Sequence, residues 1–319
     1  VSTPAPAYAA LLRQVTHEIA RAHDLVFSWE TPLSRRTAAR IGGPAEALCL
    51  VDREPALIAL AGACWAAGIP VTVLGGGANV LVGDGGVRGV VIMNVLDAAT
   101  FYPPEADGAV CTAGSGHGLT VLARRCAGHG LAGFEWAASV PGTVGGAVVN
   151  NAGAHGGDMA ANLVSARVLF PDGVRVLTQA DMAYAYRASA LKHREDRRFI
   201  VLSARLRFTP DSADAIRARI DANIAQRKRT QPAGASLGSI FRNPPGDYAG
   251  RLIEACGLKG CTIGGAQVSL VHANFFINTG GATADEYAAL VSHVRAVVME
   301  KTGVMLEPEI ELIGSAGSR

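Results

Sequence analysis

No stretch of this sequence stays apolar and uncharged for the roughly 20 residues that a membrane span needs, so no membrane segment is expected. Long basic runs are missing too. The densest stretch, Lys192–Arg198, is interrupted by Glu195 and Asp196 and reads as a solvated turn before a strand. Nucleic-acid binding needs clustered cations, and with a formal net charge of +2 and no such cluster, no nucleic-acid partner is expected. The six cysteines contain no CxxC pair. Cys256 and Cys261 are close in sequence, but no second pair or histidine cluster accompanies them, so no metal is expected. Four of the six stand in apolar runs, where a thiol behaves as a small hydrophobe. His117, His129 and His155 lack a metal-like partner nearby and read as loop or surface residues, with His155 inside a glycine cluster. Residues 1–20 lack a basic start followed by an apolar stretch, so no leader is expected and the cytoplasm is the default compartment.

What is present is a globular balance: 49% hydrophobic and 18% charged residues over 319 positions, room for about two domains. Residues 1–30 read as one amphipathic helix with a polar exit, carrying Leu11, Leu12, Val15, Ile19 and Ala20 at helical spacing. Short strands are expected at Ala47–Val51, Val71–Leu74, Val90–Met93 and Ala109–Ala113, and helices at Pro55–Ala67 and Leu119–His129. Beyond a Gly-dense segment from Gly142 to Gly157 come strands at Val164–Leu169, Val174–Leu177 and Phe199–Phe208. In the last of these, Ala204, Leu206 and Phe208 alternate with Arg205 and Arg207.

Composition shifts at Pro210. A charged helix over Asp211–Arg229 leads into a Pro/Gly/Ser-rich linker at Gln231–Gly238. The remainder reads as a strand, a helix at Ala249–Cys256, two strands ending with Ala273–Asn278, a long helix at Ala284–Thr302 and a final strand at Val304–Ile313. That mixed order predicts an α+β fold and not a doubly wound sheet.

Glycine supplies the first functional signal. Gly75-Gly76-Gly77-Ala78-Asn79 ends an apolar strand, and successive glycines let backbone N–H groups converge on an anion such as a pyrophosphate. No GxGxxG opens a helix, so the dinucleotide fingerprint is absent, and a tight turn explains this loop equally well. A second loop, Pro141–Ala147, and a third cluster, Asn151–Gly157, change the balance. Two separate glycine-dense loops are costly in entropy unless something packs on them, and one extended ligand between them is the economical reading.

Three polar residues stand out in apolar or Gly-rich settings: Arg187 in Tyr184–Lys192, Ser239 in Gly238–Pro244 and Glu309 in Leu306–Leu312. Read singly, they are a surface ion-pair partner, a turn hydroxyl and a solvent-facing strand residue. Read together with Ile41–Ala45, Leu74–Val82, Gly133–Glu135 and Pro141–Ala147, in that order along the chain, they resemble the UDP-N-acetylenolpyruvoylglucosamine reductase (MurB) family.

The resemblance implies an FAD-binding domain of the vanillyl-alcohol-oxidase (PCMH) type in two α+β lobes, plus a smaller C-terminal α+β substrate domain. The expected division is an N-terminal helix and entry segment at 1–30, the FAD domain at 31–210 and the substrate domain at 211–319. Cofactor contacts are implied for Gly75, Gly76, Gly77, Ala78 and Asn79 in the first loop. Around the second they are implied for Ser139, Pro141, Gly142, Val144, Gly145, Gly146, Ala147 and Asn151. Ala78 stands where the family usually has serine, and no histidine adjoins the loop, so FAD is expected to be held noncovalently.

The resemblance also implies a reaction. NADPH reduces FAD, the flavin N5 delivers hydride to the vinyl carbon of UDP-N-acetylglucosamine enolpyruvate, and Ser239 protonates the neighbouring carbon. Arg187, permanently charged, suits the carboxylate on which charge develops, and a protonated Glu309 would donate to the same group. Arg242 is a candidate donor toward the Ser239 alkoxide. Tyr186, Asn243 and Gln267 are the expected substrate contacts, and a monomer is expected. The short Pro244–Ala249 segment resembles the subgroup that lacks a tyrosine-bearing lid. Leu270-Val271 and Glu311 depart from the family's usual charged residues at those places. Two other readings remain: a flavin oxidase on the same FAD domain, disfavoured by the Ser239 and Glu309 motifs, and a noncatalytic FAD or nucleotide-sugar binding module, which has no use for a proton donor.

Overall fold

In the computed structural model, which describes residues 6–103 and 109–317, the opening helix is shorter than its pattern suggests. Helix α1 (Pro6–His23) packs Leu12 onto α2 (Glu54–Ala66). It ends where Asp24 turns left-handed at φ 50° and Leu25 N donates back to Ala20 O at 3.1 Å. Residues 27–32 are therefore a strand, β1 (Phe27–Pro32), in which half-buried and exposed positions alternate. The first five residues of the expected helix lie outside the described residues.

β1 opens the first lobe. It pairs antiparallel with β2 (Pro44–Val51), and β5 (Val87–Asn94) lies parallel between β2 and β3 (Val71–Leu74). α1 and α2 cover one face of this sheet through Leu12, Leu57, Leu60 and Cys64, while Leu74, Val91 and Met93 on the other face cluster with Val82. β4 (Val80–Val82) leaves the glycine loop and pairs elsewhere.

The second lobe is an antiparallel sheet in the order β12-β11-β13-β7-β6, built from β6 (Ala99–Phe101), β7 (Ala109–Gly114), β11 (Leu163–Phe170), β12 (Gly173–Thr178) and β13 (Ile200–Pro210). Short pieces complete it: β8 (Leu131–Ala132), β9 (Gly153–Ala154), β10 (Gly157–Asp158) and α5 (Met159–Asn162). The alternation read in β13 holds, with Ala204, Leu206 and Phe208 buried and Arg205 and Arg207 exposed. α3 (Leu119–Gly128) supplies Leu122 and Cys126 to this core. α6 (Ala213–Thr230) adds Ile216 and Ile220, although the composition changes before it, at Pro210.

The Gly142–Gly157 segment is not all loop. Val144–Asn150 is a helix, α4. Its glycines serve close packing here, since a Cβ at Gly145 would lie 3.0 Å from Ser115 Cβ.

A third lobe carries an antiparallel sheet in the order β14-β17-β16-β15, from β14 (Ala235–Ser239), β15 (Thr262–Ile263), β16 (Ala266–Val268) and β17 (Phe275–Asn278). Half of the expected 231–238 linker is thus strand. α7 (Ala249–Ala255) and α8 (Ala284–Thr302) pack on it around Phe241, Phe276 and Tyr287. The final strand is shorter than expected: only β18 (Glu311–Ile313) forms, parallel to β4, and Glu309 precedes it.

Several links tie the third lobe to the first, and two of them hold its final strand and its long helix. One is the β18–β4 pairing. The other is Asp84, whose Oδ1 accepts from Ala284 N at 2.9 Å and Oδ2 from Asp285 N at 3.0 Å, satisfying donors that α8 cannot satisfy itself. Asp84→Ala is expected to lower the unfolding free energy by about 1–2 kcal/mol, the usual value of a helix cap, read from urea denaturation. An unchanged midpoint would remove this link.

Candidate active site

A cavity of about 590 Å3 opens between the three lobes. Its walls come from the first glycine loop, the start of α4, Arg187, the end of β14 and the segment 309–313.

The two glycine loops meet. A Cβ at Gly75 would lie 2.3 Å from Thr143 Oγ1, and one at Gly76 would lie 3.1 Å from Gly142 Cα. Side chains at these positions would close the gap between loops that both face the cavity. Asn79 then ties the first loop to the C-terminal segment: its Nδ2 donates to Glu309 O at 3.2 Å, and Glu311 N donates to Asn79 O at 2.9 Å.

Arg187 sits in a left-handed backbone conformation, φ 55°, in a small turn bridged between Ala185 and Ala188. Such a conformation is uncommon for a non-glycine residue and concentrates at functional sites. Its guanidinium donates to Gly153 O at 2.7 Å and to Asn151 O at 3.3 Å, which anchors it to the third glycine cluster. Its Nε lies 2.8 Å from Glu309 Oε1, with side-chain exposures of 21% and 17%. The Nε–H is not aimed at that oxygen and counts as unpartnered, so the pair is close but imperfectly aligned. Glu309 is placed by its own backbone, whose N–H donates to Ile240 O at 2.7 Å.

Ser239 reaches the cavity because β14 is irregular. Register shifts between Ser236 and Ser239 against β17, and Gly238 takes φ 77°. The bulge re-aims the strand end. No other group among the described residues holds the Ser239 hydroxyl, and it lines the same cavity as Arg187 and Glu309.

Of the remaining candidates, Gly75, Gly76, Gly77, Ala78, Asn79, Pro141, Gly142, Gly145, Gly146 and Ala147 line the cavity. Ser139, Val144 and Asn151 do not. Val144 is in the second lobe's core, and Ser139 Oγ lies 3.1 Å from His155 Nε2. Asn151 braces the Arg187 turn, donating to Ala185 O at 3.0 Å. The three residues expected at the substrate also stand off the cavity wall. Tyr186 is 55% exposed beneath the Arg187 guanidinium, 5.3 Å from its ring centre. Asn243 accepts from Ala249 N at 3.1 Å and so caps α7, while Gln267 donates to Thr262 Oγ1 at 3.2 Å.

Several cavity residues carry no sequence signal. Arg197 lines it from the turn read as solvated, with Glu311 as its partner at 3.5 Å. From that same turn Lys192 Nζ donates to Asn150 Oδ1 at 2.7 Å, and burial holds its ammonium below the usual lysine pKa. Arg227 and Gln231 line the cavity from the end of α6.

His117, read as a loop or surface residue, is buried and 3.2 Å from Arg125. Among the described residues no cluster of His, Cys, Asp and Glu has metal-binding geometry. Cys49, Cys64 and Cys111 have thiols pushed by burial up to about 11, 12 and 11, as expected of inert small hydrophobes. No helix among the described residues is long and apolar enough to cross a membrane.

Comparison with known proteins sets this geometry in context. Residues 45–178 match an FAD binding domain, and residues 230–313 match the C-terminal domain of UDP-N-acetylenolpyruvoylglucosamine reductase. The reductase of that name from Bacillus velezensis is 42% identical over 287 residues, covering 89% of this chain and 93% of the relative. The one from Anaeromyxobacter dehalogenans is 43% identical over 287 residues, covering 89% and 85%. The crystal structure of the enzyme from Thermus caldophilus superimposes with a TM-score of 0.74 at 34% identity, covering 90% of this chain and 98% of that one.

Proposed function

Because this chain belongs to the UDP-N-acetylenolpyruvoylglucosamine reductase (MurB) family, we propose that it reduces UDP-N-acetylglucosamine enolpyruvate to UDP-N-acetylmuramate with NADPH as donor. It is an FAD-dependent oxidoreductase of peptidoglycan precursor synthesis. The observation that carries the finer reading is the convergence of Arg187, Ser239 and Glu309 on the cavity that the two glycine loops also line.

The residues present fit FAD. Gly76 and Gly142 approach so closely that a Cβ would fill the space between them, which suits backbone contact with a cofactor. His, Cys and Tyr, the side chains able to link covalently to a flavin, are absent from the cavity wall among the described residues, which supports noncovalent binding. When bound, FAD supplies a two-electron carrier between nicotinamide and the substrate's double bond.

This chain's own residues handle the charge and the proton. Arg187 binds the enolpyruvyl carboxylate, and its charge counters the charge that builds there as the double bond is reduced. Gly153 O, Asn151 O and Glu309 hold the guanidinium in place before substrate arrives. With the Arg187 side chain this close, Glu309 serves first as the residue that orients it. Ser239, whose hydroxyl no other group restrains, gives its proton to the carbon next to the carboxylate. Arg242, with a buried Nε that has no partner, is the donor closest in sequence for the resulting alkoxide. The turn at Pro244–Asp247 leads directly into α7, which supports membership of the subgroup without a tyrosine lid.

The purified protein is expected to be yellow, to release its flavin on denaturation, and to oxidise NADPH steadily only when the enolpyruvyl UDP-sugar is added. A colourless protein that FAD cannot reconstitute, or one that consumes NADPH and makes hydrogen peroxide equally fast without the sugar, would overturn this reading.

A further inference from the structure

Ser239 owes its place to a strand whose neighbour stops short. Between Ser236 and Ser239, β14 sets two residues, Leu237 and Gly238, against the single Phe276 of β17. A bulge of this kind lets the chain beyond it settle one residue either way, and a one-residue slip turns each following side chain to the opposite face. The register past Ser239 therefore has to be fixed from outside the bulge. β17 does not reach that far. It begins at Phe275, opposite Ser239, and the chain before it turns away, with Phe275 N donating to His272 O at 3.0 Å.

The side chain of Asn274 takes the place of the missing ladder. Its Oδ1 accepts from Phe241 N at 2.9 Å, its Nδ2 donates to Phe241 O at 2.8 Å, and its carbonyl accepts from Ile240 N at 2.9 Å. One amide thus pairs both backbone groups of a residue, as an adjoining strand would. Asn274 and Phe241 are 3% and 1% exposed, and a buried backbone group without a partner is unfavourable, so the slipped register is disfavoured. Asn274 is set in turn by His272, whose Nδ1 accepts from Asn274 N at 3.2 Å.

On its other side the same segment meets the C-terminal residues: Ile240 O accepts from Glu309 N at 2.7 Å, and Arg242 N donates to Glu307 O at 2.9 Å. Glu309 has further anchors in Asn79 and Arg187, whereas Ser239 depends on its strand alone. Asn274 is not on the cavity wall, so it reaches the chemistry only through the backbone it holds.

Resting on the functional reading above, we propose that Asn274 is a positioning residue for the proton transfer: its amide locks the register past the bulge and so holds the Ser239 hydroxyl at the reacting carbon.

The test is single-turnover reoxidation of the FAD-loaded, NADPH-reduced protein by the enolpyruvyl UDP-sugar, without oxygen. Asn274→Ala is expected to slow reoxidation about a hundredfold, the loss that a misplacement of about 1 Å brings. Flavin reduction by NADPH should stay within about twofold of the unaltered rate, because the glycine loops are untouched. Asn274→Ser keeps a hydroxyl able to bond one of the two Phe241 groups and should lose only about tenfold; it is the variant read if alanine prevents folding. Thr283→Ala, which removes the cap of α8 in the same lobe, should lower the thermal midpoint without slowing reoxidation. The decisive comparison adds each Asn274 variant to Ser239→Ala. A residue that acts through the hydroxyl has nothing left to position, so the double variant should reoxidise at the rate of Ser239→Ala alone.

An Asn274 variant that reoxidises at the unaltered rate overturns the proposal. So does an effect that persists undiminished in the Ser239→Ala background, or one that slows both half-reactions equally, since either would mark a general support of the lobe. Normal turnover by Ser239→Ala on its own would instead overturn the proton-donor reading on which this rests, and the single variant reveals it.

Discussion

Replacing Ser239 by alanine is expected to give a folded, yellow protein that accepts electrons from NADPH at close to the unaltered rate and then stalls. Turnover on the enolpyruvyl UDP-sugar should fall by about 10^3-fold or more, the range that follows loss of a positioned proton donor. Two observations separate this outcome from a general loss of structure. The Ser239 hydroxyl has no protein partner among the described residues, so removing it leaves no buried group unsatisfied. The bulge that aims residue 239 depends on Gly238 at φ 77° and on the register against β17, neither of which involves the hydroxyl. The thermal midpoint should therefore move little while kcat collapses.

Rapid-mixing flavin absorbance reads the two halves of the reaction separately. Bleaching by NADPH should be preserved, and recovery on adding the UDP-sugar should be lost. If both phases slow equally, Ser239 acts on cofactor geometry and not on the proton. If neither slows, the proton comes from elsewhere, and Lys192, whose ammonium donates to Asn150, is the alternative to test next by substitution.

How much of this was legible beforehand differs residue by residue. The strands around the first glycine loop were readable because Val71–Leu74 is a short apolar run stopped by glycine, and the structure ends β3 at the same residue. The length of the first helix was not. Asp24 ends it through a local left-handed turn, and the apolar spacing across Leu11–Ala20 gives no warning of that. α4 was hidden for a different reason. Gly145 and Gly146 look like loop residues, but one of them is small because Ser115 packs against it, and packing is not a local property.

The functional residues divide in the same way. Arg187, Ser239 and Glu309 stood out only as a set, since each alone has an ordinary explanation; their meeting depends on a left-handed turn, a bulge and the β18–β4 pairing. Asn243 carried a motif signal yet serves as the cap of α7. Arg227 and Gln231 carried none, because Arg227 stands in the last turn of a helix so rich in charge that one more arginine is unremarked until its missing partner is seen in three dimensions, and Gln231 only ends that helix.

The second large effect is expected at Gly77, where the demand for glycine is absolute in a way that its neighbours' is not. Its φ of 57° costs an alanine about 1–2 kcal/mol, and the added Cβ would lie 2.1 Å from Arg36 O and 2.9 Å from Thr37 Cα. The opposing backbone is poorly placed to retreat. Thr37 Oγ1 donates to Ile41 O at 2.7 Å and accepts from Ile41 N at 3.1 Å, Ala39 O accepts from Asn278 Nδ2 at 2.9 Å, and Ala39 and Ile41 are buried in the third lobe's core. The glycine loop must move instead, and it carries Asn79, the residue bonded to Glu309 and Glu311. Gly77→Ala is thus expected to displace the cofactor wall and the C-terminal segment together. FAD affinity should fall at least about a hundredfold, and stability by about 2–4 kcal/mol, as backbone strain and overpacking add. Gly142→Ala is the control: its φ of 117° is strained, but nothing lies within 4 Å of its Cβ, so the loss should be smaller. Flavin-to-protein ratio after gel filtration, with thermal midpoints of both apoproteins, ranks the two. A Gly77→Ala protein that keeps its full flavin and melting temperature would show that the segment at Arg36–Ile41 yields after all, and that the first loop does not depend on it for its shape.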